Sequence, residues 1–338
     1  MRQVLITRSG PPEVLQLRES PDPLPRNGEV RIRVEASGIN FADILGRMGM
    51  YGDAPAMPYV PGYEVAGVVD AIGQGVLDLR EGDNVLALTR FGGYSDMVCV
   101  PYKQVFPRLD WMSARDGAAI PAAYLTAYVS LVVMGAVRPG DRVLIHNAGG
   151  SVGLAALTIC KILGAVTYGT ASPHKLDFLR EQGLQHAIDY RNHDYEQVLL
   201  DLTGGKGVQL VLDSLGGRHW YKNYRLLMPT GRLVLLGASS RVGGKRRSWW
   251  RTLRLLAQMP FYTPAKLIAD NRAVIGVNIG HLWDETDLLQ TWMQQIVNWY
   301  DEALFRPHID RTFPLAEAAE AHHYVQDRRN LGKVLLVP

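Results

Sequence analysis

Asn147-Ala-Gly-Gly-Ser-Val-Gly153 follows the apolar run DRVLIHN and precedes the helical run Leu154–Leu163. That order of strand, glycine turn and helix constrains the fold more than any other segment. Glycines allow the tight turn and let the backbone approach a pyrophosphate. The helix N-terminus adds N–H donors and the positive end of its dipole. A glycine cluster alone is often only a turn. Here strands are expected to follow at Val166–Gly169, His186–Asp189, Gln209–Asp213, Arg232–Leu236 and Ala273–Val277. Such alternation predicts an α/β fold with a doubly wound, Rossmann-type parallel sheet. Gly150, Ser151, Val152 and Gly153 then form a dinucleotide's phosphate cradle.

The first third has a different texture. Glu29–Ala36 (EVRIRVEA) alternates at period two, and Val65–Ile72 and Asn84–Leu88 read similarly. The last residues return to a helix at Leu315–Val325 and a strand at Lys333–Val337. Two domains are expected: residues 1–122 with 280–338, and residues 123–279, with a substrate cleft between them. Gly117–Val137 carries no charge and has a length that can mark a membrane span. Its Pro121, Thr126 and Ser130, with Tyr124 and Tyr128 at helical spacing, favour one buried helix instead.

The 338 residues carry a net charge of only +3, which argues neither for nor against a nucleic-acid partner. With no aromatic-studded basic platform and no recognition helix, none is expected. Cys99 and Cys160 lie far apart without C-x-x-C spacing, which fits a reduced, cytoplasmic setting. The N-terminal MRQVLI lacks the pattern of a signal peptide.

The end of the second Rossmann strand selects the dinucleotide. NAD sites place an acid there for the ribose 2′-hydroxyl. This chain reads Gly169-Thr-Ala-Ser-Pro-His-Lys175, without an acid. Ser172 and Lys175 instead offer donors to a 2′-phosphate, and Tyr190 follows the third strand within reach. NADPH is the expected cofactor. Ser172-Pro173 also reads as a helix start, with Ser at the N-cap and Pro at N1, and the two readings are compatible.

Several motifs then come together: Gly38-Ile-Asn-Phe-Ala-Asp43, Arg47-Met-Gly-Met-Tyr51, Pro61-Gly-Tyr-Glu-Val-Ala-Gly-Val-Val69, Tyr124-Leu-Thr-Ala-Tyr128 and Gly332-Lys-Val-Leu-Leu336. With the glycine turn, they resemble the zinc-free quinone oxidoreductase branch of the medium-chain dehydrogenase/reductase superfamily, nearly end to end. Ala269-Asp-Asn-Arg-Ala-Val-Ile-Gly276 and the insert before it look most like the vesicle amine transport protein subgroup. Ser151 departs from the family's usual glycine; its Cβ stiffens the turn and its hydroxyl adds a donor.

The resemblance implies a mostly β, GroES-like substrate domain and hydride reduction of a quinone or electron-poor carbonyl compound. It places Asn40 and Tyr51 in the catalytic space. Asn40 would bond a nicotinamide ribose hydroxyl, and the Tyr51 phenol would donate to the substrate oxygen. Thr126 would lie near the nicotinamide, and Asn330 is counted among the cofactor residues. Homodimers through Ala273–Val277 are expected. Zinc-dependent relatives have Cys at the Asn40 position, Gly-His-Glu where this chain has Gly62-Tyr63-Glu64, and a four-Cys loop that is absent here. Without thiolate or imidazole ligands at these positions, no metal is expected. His322 and His323 are adjacent on a helix and point apart.

Each site residue also has a plainer reading. Asn40 can serve only as an N-cap paired with Asp43, Tyr51 only as a loop aromatic, and Tyr63 only as filler. No catalytic acid is assigned, since water can protonate the product. A second enzymatic reading is C=C reduction of an enone or 2-alkenal. A reading of another class is a membrane-peripheral or scaffold protein. Between Asp213 and Asp270 there are eleven Lys/Arg and no acid. Within the insert 241–268, Arg247, Arg251, Arg254 and Gln258 share one helical stripe, beside Trp249, Trp250, Leu253 and Leu256. An ordinary amphipathic helix covering a cleft or subunit contact is the preferred interpretation of that insert.

Overall fold

The structure is a computed structural model that describes residues 1–237 and 259–338. Its described residues divide into two compact units: Met1–Leu125 with Ile279–Pro338, and residues 126–237 with 259–278. The basic stripe Arg247–Gln258 lies outside the described residues.

The second unit holds a six-stranded sheet. Across it run His186–Asp189, Val166–Ala171, Arg142–Ile145, Val208–Asp213, Leu227–Leu235 and Ala273–Gly276. All neighbouring pairs are parallel. The strand that comes first in sequence lies in the middle, so the winding reverses between Arg142–Ile145 and Val208–Asp213. A doubly wound sheet offers its ligand crevice at such a reversal, beyond the strands' carboxyl ends. Sheets covered on both faces need apolar runs, and Val143, Leu144 and Ile145 are fully buried. The fifth strand starts earlier than the sequence suggests, at Leu227. Pro229 and Gly231 hide its first half, where a register shift and the positive φ of Thr230 accommodate them.

The first unit is built on a seven-stranded sheet around the ten-residue strand Glu29–Gly38. That strand pairs antiparallel with Glu64–Ile72, Met97–Pro101 and Lys333–Val337. Its alternation puts Val30, Ile32 and Val34 into a core with Val65, Val69 and Val85. Register places Ser37 opposite both Val65 and Leu336, and Gly38 opposite Leu335. Three strands distant in sequence therefore end together, bringing Asn40, Glu64 and Lys333 within bonding distance.

The charge-free stretch is not the single helix expected from the sequence. It begins in the helix Ala114–Ala119, continues as the helix Pro121–Tyr128, and ends in a π-helical turn at Val129–Val133. Pro121 has no N–H to close a bond back to the preceding turn, so it begins a new helix. Among the described residues, no helix is long and apolar enough to cross a membrane.

Candidate active site

The glycine turn is tight and leads directly into a helix. Asn147 adopts a positive φ of 51° and donates from Nδ2 to Ser214 Oγ at 2.7 Å. Gly150 is the N-cap of helix Ser151–Ile162. At Gly153 a Cβ would collide with the Asn147 carbonyl and Ala148, so only glycine lets the helix start this close to the turn. Ser151 stands at the first helical position outside the left-handed region. Its departure from glycine therefore costs no backbone strain.

The residues expected to receive a 2′-phosphate come together beside this turn. Ser172 Oγ lies 3.3 Å from the Tyr190 hydroxyl. Lys175 is only 7% exposed, and its stem crosses Gly149, where a Cβ would come within 2.9 Å of Cδ. Ser172 precedes the short turn Pro173–Lys175 at its N-cap, but its side chain makes no cap bond. The capping reading holds for the backbone, while the hydroxyl faces Tyr190. Asp189, which ends the neighbouring strand just before Tyr190, is tied to its own loop through Arg191 N at 2.9 Å and Asn192 Nδ2 at 2.6 Å.

A buried polar chain that no motif announces lies behind the turn. His146 Nδ1 is 2.9 Å from Thr170 Oγ1, and Nε2 is 3.0 Å from Asn223 Oδ1. Asn223 Nδ2 donates to Asp213 Oδ2 at 2.5 Å, so its oxygen faces the imidazole. Nε2 therefore carries a hydrogen, and neutral His146 accepts from Thr170 at Nδ1. Burial pushes the His146 pKa down, which keeps it neutral. The chain pins the ends of the first, second and fourth Rossmann strands.

In the first unit, Asn40 is the N-cap of helix Phe41–Arg47, and Asp43 Oδ2 accepts its backbone N–H at 2.8 Å. The capping reading is thus correct, but incomplete. Asn40 Nδ2 donates to Glu64 Oε1 at 2.7 Å, and Lys333 Nζ donates to Asn40 Oδ1 at 2.9 Å. Lys333 also forms a short ion pair with Glu64 Oε1. Glu64 Oε2 accepts Ala122 N–H at 2.7 Å, satisfying a donor in the first turn of Pro121–Tyr128. At Gly38 a Cβ would strike the Glu64 carboxylate. Sequence reasoning missed Glu64 and Lys333 as site residues. The available signal was a lysine inside the apolar strand KVLLV, since a buried ammonium needs a carboxylate partner.

Asp43 also accepts from Gly62 N at 2.8 Å and Tyr94 OH at 3.2 Å. Burial nevertheless raises its pKa to about 7. Tyr94 OH continues to His322 Nε2 at 3.0 Å, whereas His323 Nε2 meets Glu13 Oε1 at 2.7 Å. The adjacent histidines thus face different partners. Among the described residues, no group of three or more His, Cys, Asp or Glu is placed to hold a metal ion.

Tyr51 belongs to an aromatic wall. Its ring stands edge-on to Tyr63 at 6.0 Å, and Tyr63 packs on Phe91 at 5.2 Å and lies near-parallel to Trp283 at 6.5 Å. Burial, then the charge of Asp53, raises the Tyr51 pKa, so the phenol keeps its proton. Asp53 Oδ2 lies 3.0 Å from His281 Nε2. Asn330 Nδ2 donates to Gly332 O at 2.8 Å, just before the strand that carries Lys333. In the second unit, the half-buried Thr126 accepts through its carbonyl from Ser130 Oγ at 2.6 Å.

Comparison with known proteins agrees with this architecture. Residues 26–110 match the alcohol dehydrogenase GroES-like domain, and residues 182–336 match a family described as zinc-binding dehydrogenase. The rat synaptic vesicle membrane protein VAT-1 homolog is 40% identical over 96% of this chain and 80% of its own length. The Escherichia coli quinone oxidoreductase complexed with NADPH superposes with a TM-score of 0.89 at 27% identity, covering all of both chains. The CurK enoyl reductase gives 0.84 at 27% identity, over 99% of this chain and 98% of its own. The chain is therefore an oxidoreductase of the medium-chain dehydrogenase/reductase superfamily, and belongs to its quinone oxidoreductase branch together with the VAT-1 homologues.

Proposed function

We propose that this protein is an NADPH-dependent, metal-independent reductase of quinones or related electron-poor carbonyl compounds. The observation that carries the reading is the acid-free strand end. There Ser172 and Tyr190 meet, and Lys175 lies across Gly149. This donor set fits a 2′-phosphate, and the glycine cradle fits a pyrophosphate. The NADPH complex of the similar E. coli enzyme supports the same choice. When bound, NADPH supplies a hydride from its nicotinamide ring. The backbone N–H groups of Gly150–Gly153 hold the phosphates, with Thr126 and Asn330 as further cofactor contacts. The Asn40 amide orients the ribose. The Tyr51 phenol donates to the acceptor oxygen as negative charge develops there, and Tyr63, Phe91 and Trp283 keep water from that donor.

The likeness to the CurK enoyl reductase favours a second reading, reduction of the C=C bond of an enone or 2-alkenal. Turnover of a quinone and an enone panel with NADPH, on chelator-washed protein, decides between them. The expected products are hydroquinones, at undiminished rate. Saturated carbonyl products alone would favour the second reading. Activity lost with stoichiometric zinc would end the metal-independent one.

A cytoplasmic homodimer that joins through Ala273–Gly276 at the sheet edge completes the proposal. The protein is accordingly expected to stay in the supernatant when anionic liposomes are sedimented. Salt-sensitive co-sedimentation would instead support a membrane-peripheral role.

A further inference from the structure

The Asn40 amide is held at both ends. A carboxylate only accepts hydrogen bonds, and an ammonium only donates them. Between Glu64 and Lys333 the amide therefore has one orientation, with Nδ2 toward the carboxylate and Oδ1 toward the ammonium. Glu64 cannot turn away, because its other oxygen is bound to Ala122 N–H. Glu64 is fully buried and Lys333 is 2% exposed, while Asn40 itself remains half-buried. The ion pair is sealed, and the amide it grips reaches the surface of the site.

Burying two charges is costly, and apolar side chains of similar volume often fill such a place with no loss of stability. Stability alone therefore does not account for the pair. We infer that Glu64 and Lys333 are positioning residues whose task is to fix the orientation of the Asn40 amide. The terminal torsion of a free asparagine is broad and roughly two-fold. The clamp sets the direction of the amide, whose second N–H points toward Gly38 O at a long 3.5 Å and whose oxygen also faces the Asp43 backbone N–H of the capping box. This inference rests on the reading of Asn40 as the residue that orients the cofactor ribose.

The test uses the full-length protein and the double variant Glu64→Leu/Lys333→Met, which removes both charges and both ends of the clamp. Either single change strands a buried charge and should lower Tm. The double variant should recover most of that loss. Its kcat with NADPH should nonetheless stay about tenfold or more below wild type. Asn40→Ala should then cost little further in the double-variant background, because the amide has already lost the two charged partners that orient it. In selectively ¹⁵N-Asn-labelled protein, the Asn40 side-chain NH₂ signal should be protected from solvent exchange in wild type and unprotected in the double variant. Wild-type kcat in the double variant, or an undiminished effect of Asn40→Ala within it, overturns the inference. If wild type reduces no acceptor, the functional reading fails and the amide signal decides the clamp: equal exchange in both proteins refutes it. Should the double variant not fold, Glu64→Asp keeps the charge while withdrawing the acceptor from Asn40. It should show the same loss of protection and of kcat, and normal values for both overturn the inference.

Discussion

Replacing Tyr51 with Phe is expected to lower kcat/KM for the acceptor about 10²–10³-fold while leaving Tm and the KM for NADPH nearly unchanged. The ring makes the contacts that stabilise the fold, standing edge-on to Tyr63, and Phe keeps them. Only the hydroxyl is lost. Burial and Asp53 hold that hydroxyl in its protonated form, so it is a donor across the neutral range. A donor aimed at developing negative charge is worth ~2.7–4 kcal/mol in well-shielded sites, which sets the upper end of the effect. A water entering the vacated space would shrink it. Steady-state kinetics with one quinone, beside a melting curve, measures both halves of the prediction. Unchanged kcat/KM would leave Tyr51 as part of the aromatic wall and nothing more.

Local features of this protein were legible in its sequence because their physics is local. A glycine turn needs glycines at fixed offsets. A strand buried on both faces needs an apolar run, and the strand Arg142–Ile145 lies within the run DRVLIHN. The acid-free loop Gly169–Lys175 was equally readable, since its message is a residue type at one position. What escaped was assembled from strands far apart in sequence. Glu64 and Lys333 lie 269 residues apart, and only the register around Gly38 brings them together. The chain from His146 through Asn223 to Asp213 joins two strand ends and a helix, with no spacing rule to reveal it. Tertiary context also overrode the uncharged stretch near Pro121. Composition suggested one helix there, but a missing N–H and the Glu64 carboxylate start a new one.

Wild type is expected to prefer NADPH over NADH, and removing the Lys175 charge should erase most of that preference. A carboxylate at the second strand's end would accept from a 2′-hydroxyl and repel a 2′-phosphate; Lys175 does the reverse. The ammonium stem lies across Gly149, beside the turn that begins the phosphate cradle, while Ser172 and Tyr190 face each other 3.3 Å apart. Charge-assisted hydrogen bonds contribute ~1.5–3 kcal/mol, or on the order of ten- to a hundredfold in affinity. Because Lys175 is almost wholly buried, truncation to Ala would confound lost charge with lost packing. Lys175→Met keeps the stem and is the cleaner variant. It should raise the KM for NADPH about ten- to a hundredfold and change that for NADH little. Ser172→Asp should go further and favour NADH, since its carboxylate would face Tyr190 from the position where NAD enzymes carry their acid. Both cofactors are titrated against wild type and the two variants with a single quinone acceptor. Equal kcat/KM for NADH and NADPH in wild type would sink the assignment, whatever the variants do.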